Sequence, residues 1–180
     1  MATSLRSRSK PAGNARAAAR EILLFGLLGA ILVTAQLALS FLPNIELVSL
    51  FIIVYTLVLR GKAFYPVYIF VLAEGLIFGF GIWWISYLYI WAALAAAVLL
   101  MRKNESAIFW AIVSGIFGLL FGALCSIPYL FIGGAGAAAA YWVNGIPFDL
   151  LHCGGNALAA ALLFRPSYKI MKRLYANEKP

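Results

Sequence analysis

Lysine and arginine are missing from most of this chain. All fourteen lie within 6–20, 60–62, 102–103 and 165–179, so the stretches 21–59, 63–101 and 104–164 hold none. Acidic residues are scarcer, six in 180, with two cysteines and one histidine. Cys125 and Cys153 stand at no metal-ligand spacing and read as small buried side chains. Also missing are H-E-x-x-H, G-x-S-x-G, C-x-x-C and a Gly-rich phosphate loop with Lys. Their absence excludes the common zinc hydrolases, the nucleophile elbow and any recognisable use of ATP by this chain.

What remains is apolar: 64% of residues are hydrophobic. Each base-free stretch is long enough for two helical crossings of a hydrocarbon core ~30 Å thick. Basic residues collect on the cytoplasmic side of membrane proteins, so the four clusters mark cytoplasmic turns and termini. The expected fold is all-α, a polytopic bundle of six transmembrane helices in three hairpins, with both termini cytoplasmic. The formal charge of +8 then belongs to orientation and anionic headgroups rather than to nucleic acid.

Three regions are expected: a flexible basic tail over 1–20, a six-helix substrate-binding domain over 21–166, and a basic tail over 167–180, partly helical. Turn residues and hydrophobic runs place helices near 21–39, 46–59, 64–80, up to 101, 107–131 and 146–164. Pro43 and Asn44 make the first outer loop. The aromatic run Trp83–Trp91 suits a membrane–water boundary and is assigned the second outer turn. The Gly/Ala tract 133–142 is left as either a loop or a surface helix. Arg165-Pro166 is expected to end the last helix.

Small residues recur every four positions: Gly26, Ala30, Thr34 and Ala38 in helix 1, Ser114, Gly118, Gly122 and Ser126 in helix 5, and Gly75 and Gly79 in helix 3. Such stripes let helices approach closely in lipid. Those of helices 3 and 5 are read as internal packing. The stripe of helix 1 fits either the bundle or a helix of another protein.

Polar residues within apolar spans are costly and default to a functional hypothesis. Here they are Gln36, Glu46, Glu74, Asp149, His152 and Asn156. Steps of 100° bring Asp149, His152 and Asn156 within ~60° of arc on one helix face. All six fall in the expected outer half, beneath aromatic residues, as a small-molecule site requires. The candidate substrate-binding set is Gln36, Asn44, Glu46, Glu74, Trp84, Tyr87, Asp149, His152 and Asn156. The competing readings are a protonated or hydrogen-bonded carboxylate, Glu46 as a helix cap, and His152 as a structural residue. Carboxylates with no basic partner suit an amine or delocalised cation rather than an anion. Asp149 and His152 have no nucleophile beside them, and no metal site is expected.

Size, helix count, the helix 1 stripe and the segment Leu42-Pro-Asn-Ile-Glu-Leu-Val48 make the chain resemble the S components of energy-coupling factor (ECF) transporters over about 21–174. The resemblance implies a non-catalytic subunit of a bacterial plasma-membrane transporter that captures a vitamin or related micronutrient from outside. It also implies partners: a transmembrane T component and two ATP-binding subunits, which use ATP and Mg. Docking onto the T component would run through Gly26, Ala30 and Thr34, a loose match to the family's Ala-x-x-x-Ala motif. Thiamine precursors, pyridoxal-type vitamers, aminated deazaguanines and a large corrinoid all stay open as substrates. A membrane enzyme acting on a lipid or isoprenoid and a non-catalytic assembly protein are the alternatives.

The orientation rule puts Gly61 and Asn104 inside, and Asn44, Ser86 and Gly136 outside. On a background lacking both cysteines, Gly61→Cys and Asn104→Cys should resist an impermeant thiol reagent in intact cells, while Asn44→Cys and Gly136→Cys react. Labelling of Gly61→Cys from outside would overturn this orientation.

Overall fold

A computed structural model describes residues 11–177, all helix and turn with no strand among them. The helices are α1 (Pro11–Ala38), α2 (Val48–Leu59), α3 (Phe64–Phe78), α4 (Ile82–Met101), α5 (Ala107–Cys125) and α6 (Ile127–Asn177), with a 3-10 turn at Arg60–Ala63. Large exposed apolar side chains such as Leu23, Leu27, Leu76, Ile108, Ile112, Leu158 and Leu162 cover the outside. A soluble protein rarely exposes so much contiguous apolar surface, and five segments are long and apolar enough to span a membrane. The chain is therefore an all-helical, multi-pass membrane protein.

Five such segments differ from the six expected. Helices α2 and α3 have 12 and 15 residues, ~18 and ~22 Å at 1.5 Å per residue, and reach span length only as the joint segment Val48–Phe78. That segment is not straight. Arg60 at its middle has φ 58°, a left-handed conformation that breaks the helix. Glu46, just before α2, and Glu74, near the end of α3, line one cavity, so the two helices run in opposite senses.

Helix α2 can be short because it sits in the centre. All of it except Phe51 and Val58 is buried, and α1, α4 and α6 pack around it. Helix α1 lies on α3 through Gly29, where a Cβ would overlap the Ile69 side chain. The ion pair between Lys62 and Glu21 holds α1 to the turn between α2 and α3. At the same end, the Ser106 hydroxyl caps α5 by accepting from Phe109 N at 3.4 Å, and Trp110 Nε1 donates to Asn104 O at 2.9 Å. Basic Arg60, Lys62, Arg165 and Lys172 thus gather at one end of the bundle and the polar cavity at the other.

Several expected boundaries move. The chain reverses at Gly79, Phe80 and Gly81 rather than within Trp83–Trp91, because Gly79 (φ 87°) supplies the turn. The aromatic run becomes the first half of α4, and Ser86 is buried within it. Gly79 is therefore a helix terminator, whereas Gly75 packs against Phe80 and Trp84. Helix α5 stops at Cys125, and Pro128 sits in the first turn of α6, where it costs no helical hydrogen bond.

Residues 133–142 are helical, with a break at Gly134 (φ 75°). Tyr129 and Tyr141 stack at 4.4 Å, although twelve residues of straight helix would put them ~18 Å apart. The chain therefore folds back at Gly134. Pro166 does not end the last helix, which continues to Asn177. A proline removes one backbone bond. Here, beyond Pro166, Tyr168 stacks on Phe164 and bonds Glu105, and Met171 is buried. Of the two expected tails, 11–20 and 167–177 are helical, while 1–10 and 178–180 lie outside the described residues.

The most extensive helix–helix contact joins α5 to α6. A Cβ on Gly118 would fall 2.7 Å from the backbone carbonyl of His152, and one on Gly115 would press on Cys153 and Ala157. The small-residue stripe of α5 is internal packing. Gly118→Ala should therefore lower stability by ~1–3 kcal/mol, as overpacking does, seen as a reduced unfolding temperature in detergent. Gly26→Ala meets nothing within 4 Å and should leave stability equal or slightly raised. Equal effects of the two would remove the distinction.

Candidate functional site

The site begins where five segments end together. Helix α1 contributes Gln36 near its end, Leu39 follows it, and the loop 40–45 runs over the top with Asn44 in a left-handed turn (φ 57°). Glu46 then leads into α2, Glu74 and Phe78 come from the end of α3, and Trp83, Tyr87 and Trp91 from the start of α4. Phe121 of α5 and His152 of α6 close a cavity of about 400 Å³. That size falls in the range of small-molecule sites.

Glu46 is 7% exposed, and both of its oxygens have partners. Its Oε2 accepts from Ser49 N at 2.8 Å, and its Oε1 accepts from the Ser49 hydroxyl. His152 Nε2 lies 3.2 Å from the same Oε1. Glu46 thus closes the open N-terminus of α2, where a carboxylate meets free N–H groups and the positive end of the helix. Asn156 Nδ2 continues the chain, donating to Ser49 Oγ at 3.2 Å and to Ser114 O at 3.5 Å. The network crosses α2, α5 and α6 inside the bundle and leaves Asn156 Oδ1 and Ser114 Oγ without partners.

Glu74 differs. It is 2% exposed, and its Oε1 has no hydrogen-bond partner. Trp91 Nε1 and His152 Nδ1 are likewise buried without partners. Three unsatisfied polar atoms therefore belong to residues that line one cavity.

The aromatic wall comes from periodicity. Trp83, Tyr87 and Trp91 stand four residues apart and so share one face of α4. Trp83 meets Tyr87 at 5.2 Å and Tyr87 meets Trp91 at 5.4 Å, both edge to face. Phe121 lies 5.6 Å from Trp91 and 4.7 Å from the His152 ring.

Of the candidates named from sequence, Gln36, Asn44, Glu46, Glu74, Tyr87 and His152 line the cavity. Trp84, Asp149 and Asn156 do not. Trp84 Nε1 donates to Val71 O at 2.8 Å and ties α4 to α3. Asp149 turns to α5, accepting from Gly122 N at 2.8 Å, and Asn156 belongs to the network below. Trp83, Trp91, Phe78 and Phe121 were not anticipated. The i, i+4, i+8 spacing of Trp83, Tyr87 and Trp91 was the available clue, legible once the segment is taken as helix. On α1, Ala30 and Thr34 are exposed, and Gly26 is half-buried with open space beside it. Thr34 Oγ1 donates back to Ala30 O at 2.8 Å. Both cysteines are free, and among the described residues no three His, Cys, Asp or Glu converge as metal ligands.

Comparison with protein-family models, curated proteins and solved structures gives no significant match.

Ser49→Ala removes one donor to the buried Glu46 carboxylate and should cost ~1.5–3 kcal/mol, the range for hydrogen bonds to charged groups. Thermal unfolding in detergent reads this. Ser126→Ala, which loses only a bond to Ala123 O within its own turn, is the control and should change little. A silent Ser49→Ala would mean that Glu46 is not held through Ser49.

Proposed function

We propose that this chain is the substrate-capturing S component of an energy-coupling factor transporter in a bacterial plasma membrane. The observation that carries the reading is the cavity. It opens at the end of the bundle opposite the basic clusters and is built from loop 40–45 and the ends of the helices, with three of its lining residues carrying unpartnered buried polar atoms. With the basic end in the cytoplasm, this cavity faces outward, where a nutrient is met. In this arrangement α2 and α3 form a short hairpin through the membrane beside four longer crossings, giving six crossings with both termini inside.

The chain captures and does not catalyse. The one hydroxyl bonded to the Glu46–His152 pair, that of Ser49, is buried and donates to Glu46 Oε1, and no phosphate-binding loop occurs in the sequence. Energy comes from two ATP-binding subunits, with ATP and Mg, coupled through a transmembrane T component. The exposed stripe Gly26, Ala30 and Thr34 supports docking there, because the face of α1 that packs internally is the one carrying Phe25, Leu28, Gly29 and Leu32. Thr34 folds its hydroxyl back onto Ala30 O, which keeps the stripe smooth for close helix contact.

A tagged chain purified from its native membranes should bring a T-type membrane subunit and two ATPases. Ala30→Leu or Thr34→Leu should reduce that recovery severalfold without lowering the unfolding temperature of the isolated chain. A chain that purifies alone and turns over a lipid would favour a membrane enzyme. Normal assembly of both leucine variants would take the docking face off α1.

A further inference from the structure

The same cavity carries information about its ligand, and the inference here rests on the reading of that cavity as a capture site. No Lys or Arg lines it, so an anionic ligand finds no counter-charge. Both Glu46 oxygens already have partners in Ser49 and His152, whereas Glu74 keeps Oε1 free at 2% exposure. A buried carboxylate oxygen with no donor is costly, and a ligand N–H supplies the donor.

His152 adds a second acceptor. A carboxylate can only accept, so the ring nitrogen facing Glu46, Nε2, carries the proton in the neutral imidazole. That leaves Nδ1, buried and unpartnered, with its lone pair. Trp91 Nε1 offers the one unpartnered donor among these three atoms, since an indole N–H can only donate. The same cavity is lined by the wall of Trp83, Tyr87 and Trp91. Aromatic faces favour flat rings and cations over flexible chains.

We infer that the ligand is a planar, nitrogen-rich heteroaromatic bearing an exocyclic amino group, cationic or protonatable. Its amino N–H is received by Glu74, its ring is stacked on the α4 aromatic wall, and a ring nitrogen accepts from Trp91. The amino group is the feature that distinguishes it. An oxo group in its place sets an acceptor against the Glu74 carboxylate, and a carboxylate adds like-charge repulsion.

The full-length chain in nanodiscs is titrated with four bicyclic probes of similar size: 4-aminoquinazoline, 4-quinazolinone, quinazoline-4-carboxylate and decahydroquinoline, the last cationic but not flat. The amino probe should bind at least about tenfold tighter than each of the others. Glu74→Gln should cost the amino probe about ten- to a hundredfold, the loss expected of one charge-assisted hydrogen bond, while weakening the oxo probe little. Trp83→Ala should weaken all three flat probes alike. Equal or tighter binding of the carboxylate or the saturated amine overturns the inference, as does binding of no probe or an amino preference that survives Glu74→Gln. If Glu74→Gln does not fold, the order of the four probes on the unaltered chain decides. Amino-selective binding by a chain that recruits no ATPases would keep this inference and remove the transporter reading. Carboxylate-selective binding by a chain that does recruit them would do the reverse.

Discussion

The close approach of α5 and α6 sets the rest of the structure. Gly115, Gly118 and Gly122 let the α6 backbone lie directly against α5, so that the His152 carbonyl occupies the space a Cβ at 118 would take. In lipid there is little hydrophobic gain from bringing two apolar helices together. The contact instead depends on van der Waals packing at short range and on the Asp149 bond to Gly122 N. That register places His152 beside Glu46 and Asn156 beside Ser49, and so connects α6 to the buried α2.

The buried polar groups include two populations near the site, apart from Thr56 Oγ1, Ser114 Oγ and Asp149 Oδ2, which are unpartnered away from the cavity. Ser49, Asn156 and Glu46 are linked to one another, and Asn156 reaches on to Ser114 O, which ties α2, α6 and α5 together, although Asn156 Oδ1 has no partner. Glu74, Trp91 and the Nδ1 of His152 are left with unmet hydrogen-bonding capacity, and all three residues line the cavity. Both populations are expensive in a low-dielectric interior. Hydrogen bonds between helices offset the first, and a hydrogen-bonding molecule in the cavity would offset the second. Glu46 both caps α2 and lines the cavity, so the structural and ligand readings of that residue are compatible.

Much of the site was legible because charge and polarity are so scarce here. Against an apolar background, Gln36, Glu46, Glu74 and His152 stand out, and each lines the cavity. Trp83 and Trp84 show where legibility ended. They are adjacent and chemically identical, yet one faces the cavity and the other bonds Val71 O. The choice depends on where α4 begins, and that depends on Gly79 and Gly81, whose turn could equally have been a packing stripe. Asp149 and Asn156 share a helix face with His152, but a face ~60° wide reaches both α5 and the cavity. Composition does not say which neighbour each one meets.

By itself the sequence determined the class of molecule, the ends of the bundle and the chemistry available at each. Long base-free apolar stretches permit little but membrane helices, because every backbone polar group must be bonded within the span. Tertiary structure decided the rest. It carried α6 through Pro166, since the packing of Tyr168 and Met171 outweighs one lost backbone bond. It also enclosed the short α2 at the centre of the bundle and left α3 with one face exposed. Helix length in lipid follows from what surrounds the helix, and α2 is surrounded by protein.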